Sequence, residues 1–177
     1  MSTELAERLT SSMRTIPDFP KPGILFYDIT TALQNGPLFH DLVSHLAERC
    51  RELKVDAIVG MESRGFIFGA PIAAALGISF VPVRKPGKLP ADIESASYVT
   101  EYSEETLEIH CDALGPGHRV AIIDDLIATG GTVEATVALV EKLGAEVAEC
   151  IFIIELVGLK GKERIPNTPT HSLLQCD

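Results

Sequence analysis

The stretch covering residues 120–132, VAIIDDLIATGGT, constrains the fold of this chain more than any other. It begins with an apolar run at 120–123, which is typical of a strand buried on both faces. Two carboxylates and a glycine-rich turn follow, and apolar residues at helical spacing then continue as far as Gly144. This order predicts an α/β unit in which the turn lies at a helix N-terminus.

The turn and the acidic pair suit a phosphorylated sugar. Backbone N–H groups at a helix N-terminus favour an anion, and Asp124 and Asp125 can accept hydrogen bonds from sugar hydroxyls. We therefore predict phosphate binding by a glycine-rich loop made of Ala128, Thr129, Gly130, Gly131 and Thr132. The alternative, that paired aspartates are solvated turn residues, is less favoured because all the parts occur together. The sequence contains no Walker loop and no Gly-x-Gly-x-x-Gly motif.

Helical and strand patterns alternate along the rest of the chain. The periodicity predicts helices over 3–14, 35–53 and 66–75, and strands over 57–60, 78–83, 146–156 and 173–175. This alternation indicates an α/β fold with a central, mostly parallel twisted sheet flanked by helices. Ligands on such sheets bind beyond the carboxyl ends of the strands. Since Arg64, Arg84 and the glycine-rich loop each follow a strand, we expect all three to converge on one edge.

Composition narrows the class of protein. A chain of 177 residues fits one domain, and its net charge of −10 argues against a nucleic-acid or membrane surface. An anionic substrate would then need a local basic cluster, which the sequence offers in Arg64, Arg84, Lys85 and Lys88. Four widely spaced cysteines without a Cys-x-x-Cys motif favour a reducing compartment, and no signal-like apolar segment occurs, so we expect a soluble, cytoplasmic protein.

Two segments lack the regular patterns. The proline-rich stretch IPDFPKPGILFYDIT predicts an extended arm whose apolar tip, residues 24–27, is a packing plug, an interface or a cover over a flat ring. Residues 85–96 read as a long mobile loop, and 97–102 with 106–110 as a two-stranded ribbon; together they suggest a lid. We predict a single domain comprising an N-terminal helix and hood (1–35), a core (36–84 and 111–177) and a lid (85–110).

The chemistry favoured by the side chains is substrate positioning rather than covalent catalysis. The turn at residues 60–65, GMESRG and hereafter the arginine turn, lacks the Gly-x-Ser-x-Gly pattern of a nucleophile elbow. Arg64 alone suits a surface cap as well as a phosphate ligand, but the glycine-rich loop favours the phosphate ligand. No cysteine or serine has an obvious base partner, and the five histidines show no metal-ligand spacing.

Several motifs together resemble one family. FPKPGILFYDIT, GMESRGFIFG, VRKPGKLP, SYVTEYSEETLEIH, VAIIDDLIATGGT and the tail ELVGLKGKERI with SLLQ are similar, in order, to the adenine phosphoribosyltransferases of the type I phosphoribosyltransferase fold. The resemblance implies the reaction of adenine with phosphoribosyl pyrophosphate (PRPP) to give AMP and pyrophosphate. It implies Mg²⁺ held through PRPP oxygens and water with no direct protein ligand, a homodimer, and a cis peptide at Glu62–Ser63.

The resemblance also implies roles for single residues. Glu101 would be the catalytic carboxylate on the lid, and Asp124 and Asp125 would hold the ribose. The 5′-phosphate would bind Ala128–Thr132, and the pyrophosphate the side chains of Arg64, Arg84, Lys85, Lys88 and Tyr102. Adenine would lie between Leu25, Phe26 and Ile127.

Two positions depart from the family pattern, and two other functions compete. Tyr27 stands where many relatives have arginine, and Pro86 where some have a basic residue, so neither receives a role. One competing function is a phosphoribosyltransferase that uses hypoxanthine, guanine or another base. The other is a PRPP-sensing regulator, which would need a DNA-binding domain or a basic face that this acidic sequence lacks.

Overall fold

The structure, a computed structural model, describes residues 2–99 and 104–177. It contains two compact units, the first ending at Leu46 and the second beginning at Ala47. The predicted single domain and its divisions stay a prediction. Within the described residues, no helix combines the length and the apolar character needed to cross a membrane.

The first unit pairs two short strands from the proline-rich segment. Its elements are α1 (Ser2–Ser12), β1 (Arg14–Pro17), β2 (Leu25–Asp28), α2 (Thr30–Leu33) and the first part of α3 (Gly36–Glu52). Strands β1 and β2 are antiparallel, with Arg14 opposite Asp28. The prediction of an arm with an irregular tip was therefore wrong. The chain reverses between the strands, where Asp18 has a φ of 58° and accepts a hydrogen bond from the Gly23 N–H at 2.7 Å.

The second unit is built on a five-stranded parallel sheet in the order β4-β3-β7-β8-β9. The sheet strands and the two helices between them are β3 (Ala57–Met61), α4 (Arg64–Leu76), β4 (Ser79–Val83), β7 (Arg119–Ile127), α5 (Gly131–Lys142), β8 (Glu146–Leu156) and β9 (Thr170–Cys176). The predicted fold class is confirmed. Strand β7 is central, and its apolar run at 120–123 is fully buried, as the sequence pattern predicted.

Strand β7 runs four residues further than its apolar pattern indicated. Asp124 pairs with Phe152 and Ile127 with Glu155, so the ladder to β8 continues through the acidic pair. The carboxylates are therefore held on a hydrogen-bonded strand rather than in a loose turn. Strand β9 is likewise longer than the predicted 173–175.

The predicted lid is partly core. Strands β5 (Ile93–Val99) and β6 (Glu104–His110) form an antiparallel ribbon, hereafter the ribbon, with Ile93 opposite His110. Leu107 and Ile109 are buried in the apolar core of the second unit. The prediction of a mobile loop over 85–96 was wrong for residues 93–96, which belong to β5. Closure of a lid stays a prediction, since residues 100–103 lie outside the described part of the chain.

Candidate active site

A cavity of about 310 Å³ lies at the carboxyl ends of β3 and β7. Its walls include Arg64 and the acidic pair, Asp124 and Asp125, together with all five residues of the glycine-rich loop. The structure therefore brings together the arginine turn and the loop, as the topology of a parallel sheet requires. Lys85 also lines this cavity.

Arg64 is anchored by the second carboxylate of the pair. It is the first residue of α4, and its Nε donates a hydrogen bond to Asp125 Oδ2 at 2.5 Å. The Asp125 side chain is 7% exposed and that of Arg64 is 52% exposed. Burial opposes the charge of Arg64, but the charges and hydrogen bond of the aspartates outweigh it and raise the pKa of the guanidinium. Among the described residues its two terminal nitrogens have no partner, so they can donate to an anion in the cavity.

The Asp124 carboxylate lies beside that of Asp125 in the cavity wall. Its Oδ1 accepts a hydrogen bond from the Asp125 N–H at 2.9 Å. Burial, and then the negative charge of Asp125, raises the pKa of Asp124 well above its ordinary value. A ligand that donates hydroxyl hydrogen bonds, or that carries positive charge, would relieve this repulsion. The pair therefore suits a sugar that gains positive charge as it reacts.

The glycine-rich loop is shaped by close backbone packing. Gly130 has a φ of 83° and precedes α5, and a Cβ placed on it would lie 2.3 Å from the carbonyl oxygen of Gly161. Gly161 begins a 3₁₀ turn (Gly161–Arg164), and a Cβ on it would lie 2.3 Å from the carbonyl oxygen of Ala128. Two backbones thus touch where no side chain fits. The sequence analysis missed Gly161, although LKG in the quoted tail motif contains it.

Glu62 is a second residue that sequence reasoning missed. Its carboxylate accepts hydrogen bonds from the Arg84 guanidinium at 3.2 and 3.3 Å and from the Lys85 N–H at 3.0 Å. The Lys85 N–H first, and then Arg84, lower the pKa of Glu62. Arg84 also donates to the carbonyl of Lys88 at 3.4 Å, and neither Arg84 nor Lys88 is among the residues that line the cavity. The structure thus places these two cations beside Glu62 rather than in the cavity wall.

The described residues that are expected to bind a base belong to both units. Ile127 lines the cavity at the end of β7. Leu25, which is 44% exposed, and Phe26 belong to the first unit. Glu101 and Tyr102 lie outside the described residues. The predicted cis peptide at Glu62–Ser63 is confirmed.

The chain is similar to proteins of one family. Residues 30–169 match the family model described as the phosphoribosyl transferase domain. An adenine phosphoribosyltransferase from Synechococcus sp. is 54% identical over 169 residues, which cover 96% of this chain and 99% of that protein.

Solved structures agree with the sequence comparison. The crystal structure of adenine phosphoribosyltransferase from Thermoanaerobacter pseudethanolicus matches with a TM-score of 0.93 at 47% identity, covering 97% of this chain and 99% of that one. The Saccharomyces cerevisiae enzyme, complexed with D-2,5-dideoxy-2,5-imino-altritol 1,6-bisphosphate and adenine, gives a TM-score of 0.92 at 44% identity, with the same coverage of 97% and 99%.

Proposed function

Since the chain belongs to the adenine phosphoribosyltransferase family, we propose that it transfers the 5-phosphoribosyl group of PRPP to N9 of adenine, releasing pyrophosphate and forming AMP. This is a reaction of purine salvage. The observation that carries the proposal is one cavity lined by the glycine-rich loop, the acidic pair and Arg64.

The cavity offers a separate contact for each part of PRPP. The glycine-rich loop, Ala128–Thr132, would bind the 5′-phosphate through N–H groups at the start of α5. Asp124 and Asp125 would accept hydrogen bonds from the ribose hydroxyls. Arg64 and Lys85 would bind the pyrophosphate in the cavity wall, and Arg84 and Lys88 would attract it from beside Glu62, with Tyr102 assisting.

The base would be held by apolar side chains and activated by one carboxylate. Leu25 and Phe26 would cover adenine, and Ile127 would lie beneath it. Glu101 would handle the proton at N7 of adenine as N9 attacks C1′. The resemblance of the quoted motifs supports these roles.

The chemistry requires stabilisation of a sugar cation while pyrophosphate leaves. The carboxylates of the acidic pair supply negative charge beside the ribose, and the cationic side chains supply positive charge at the leaving group. Carboxylate oxygens in the cavity wall fit Mg²⁺ that arrives on PRPP with part of its water shell. The ion would neutralise charge on the pyrophosphate and ribose oxygens.

A homodimer, a cytoplasmic location and a function without nucleic acid or membrane complete the proposal. Free cysteines at 50, 111, 150 and 176 support a reducing compartment. The net charge of −10 supports the absence of a nucleic-acid partner.

A pyrophosphate-release assay tests the function. The protein would be incubated with PRPP, Mg²⁺ and, in turn, adenine, hypoxanthine, guanine or uracil. We expect release with adenine alone and a decrease in rate of about 10²- to 10⁴-fold in Glu101→Ala, the usual contribution of a general acid or base. Glu105→Ala, which removes another glutamate four positions later in the sequence, is the matched control.

The other outcomes would replace parts of the proposal. Release with a base other than adenine would contradict the assigned base. Tight PRPP binding without release for any base would favour the regulator.

A further inference from the structure

Tyr98 contacts the glycine-rich loop and has no role in the mechanism above. It lies on β5, and its side chain lines the cavity. It also packs against the apolar core of the second unit, which supports the ring. The residue therefore connects the ribbon to the wall of the site.

The ring fits against a glycine. A Cβ placed on Gly131 would lie 2.5 Å from Cδ2 of Tyr98 and 3.1 Å from Cε2. The phenol ring thus occupies the space that any side chain at position 131 would need. Gly131 is the first residue of α5, so this contact fixes the position of the ring against the helix N-terminus.

The phenol oxygen is bonded to the last residue of the loop. Thr132 Oγ1 donates a hydrogen bond to Tyr98 Oη at 3.1 Å. Both groups are hydroxyls, and each can donate one hydrogen bond and accept others. When the Thr132 hydroxyl donates its hydrogen bond to a phosphate oxygen, the bond between the two hydroxyls can reverse, with Tyr98 donating to Thr132. Such a chain polarises each hydroxyl and strengthens the donor that faces the anion.

We infer that Tyr98 is a positioning residue, which orients the Thr132 hydroxyl toward the 5′-phosphate and joins phosphate binding to the ribbon. The phosphate as ligand rests on the proposed function. The link has a consequence for the ribbon, since occupation of the loop strengthens a bond to β5. The predicted catalytic Glu101 follows Tyr98 by three positions in the sequence.

Binding of ribose 5-phosphate, measured by calorimetry without any base, tests the inference. Tyr98→Phe removes the phenol oxygen and keeps the ring, so we expect binding about 3- to 10-fold weaker, the usual range for one hydrogen bond. Inorganic pyrophosphate, which has no ribose phosphate to place in the loop, should bind as in the wild type. Ser97→Ala is the matched control, because it removes a ribbon hydrogen bond to Thr106 of 2.9 Å outside the cavity wall. It should leave ribose 5-phosphate binding unchanged.

A double-mutant cycle separates an effect through Thr132 from a direct one. Thr132→Val removes the hydroxyl and should weaken ribose 5-phosphate binding. If Tyr98 acts through Thr132, Tyr98→Phe should have no further effect in the Thr132→Val background.

Two results would overturn the inference: unchanged ribose 5-phosphate affinity in Tyr98→Phe, or the same loss in both backgrounds. The proposed reaction is tested separately by pyrophosphate release with adenine. If the wild type releases no pyrophosphate with adenine, the proposed reaction is wrong. The role of Tyr98 would still hold if the ribose 5-phosphate affinities follow the expected double-mutant cycle.

Discussion

The two sides of the cavity are built by different means. On one side, the glycine-rich loop has no charged side chain, and its backbone is pressed against the backbone of Gly161. On the other side, Arg64 is held by Asp125, and Glu62, which also lines the cavity, holds Arg84 from outside the cavity wall. The first side is defined by shape and the second by charge.

Because of this difference, the loop is arranged for phosphate before the ligand binds, whereas the paired cations change their contacts on binding. Backbone donors fixed by packing need no reorganisation when a phosphate arrives. A cation already paired with a carboxylate must share or exchange that partner when it meets pyrophosphate. The loop should therefore tolerate almost no change in volume, whereas the charged side should tolerate changes that preserve its balance of charge.

The largest effect should come from adding one methyl group behind the loop. Gly161→Ala places a Cβ 2.3 Å from the Ala128 carbonyl oxygen and 2.8 Å from Cγ1 of Ile127, so the loop must move. Overpacking of this kind costs about 1–3 kcal/mol, and we expect a lower Tm together with a loss of ribose 5-phosphate binding of about 10- to 100-fold.

Gly158→Ala is the matched control for this change. It lies in the preceding 3₁₀ turn (Val157–Leu159), and a Cβ there has nothing within 4 Å. Equal effects of the two substitutions on ribose 5-phosphate binding would show that the loop does not depend on the backbone contact.

The next effect concerns the charged side. Arg64→Ala removes from the cavity two terminal donors that have no partner in the described part of the chain, and it leaves the buried Asp125 without its cation. Since a hydrogen bond to a charged group contributes about 1.5–3 kcal/mol, we expect pyrophosphate to bind about 10- to 100-fold more weakly, and ribose 5-phosphate to change less. Isothermal calorimetry with each ligand measures the split.

Arg51→Ala serves as the control for Arg64, since Arg51 is also an exposed arginine paired with a carboxylate, Glu48, but on α3. It should leave both affinities unchanged. Equal loss of the two ligands in Arg64→Ala would contradict the division of the cavity into a shape side and a charge side.

The smallest effect is on stability and depends on pH. The pKa of Asp124 is raised in the folded protein, so its ionisation opposes folding. This cost is absent below the unfolded value near 4 and accumulates as pH rises through the raised pKa. Asp124→Asn should therefore raise Tm by a few degrees relative to the wild type, with an advantage that grows as pH rises from about 4 toward neutral.

Thermal unfolding of both proteins across that range measures the difference, with exposed Asp112→Asn as control. A difference in Tm that is independent of pH would exclude the buried charge as its cause. The variant should also bind ribose 5-phosphate more weakly, because it loses a charged acceptor.

Local patterns in the sequence were enough to predict most of the fold. The buried run at 120–123, the glycine at 77 that ends α4 in a left-handed conformation, and the Asn35 cap of α3 are all set by neighbouring residues. The glycine-rich loop and Arg64 were predicted because parallel strands bring their carboxyl ends to one edge. These features need no knowledge of distant contacts.

The missed features depend on distant contacts. The backbone of Gly161 packs against that of Gly130. The ring of Tyr98 packs on Gly131, and its oxygen accepts a hydrogen bond from Thr132. Glu62 binds Arg84 across 22 positions. The turn that pairs β1 with β2 was missed because proline density argued against strands, whereas the prolines lie at the strand end and in the reversal between them.

The packing of Gly161 on the loop also determines when, during synthesis of the chain, the site can take its shape. A chain leaving the ribosome presents the acidic pair and the loop well before the residue that supports the loop from behind. Strand β7 likewise pairs with β3 across 63 positions, Ala57 with Val120, and such distant pairing forms slowly. A nascent chain shorter than 161 residues would carry the sequence of the site without its shape. Affinity for a phosphorylated sugar would then emerge late in translation, after four of the five strands of the sheet have been made.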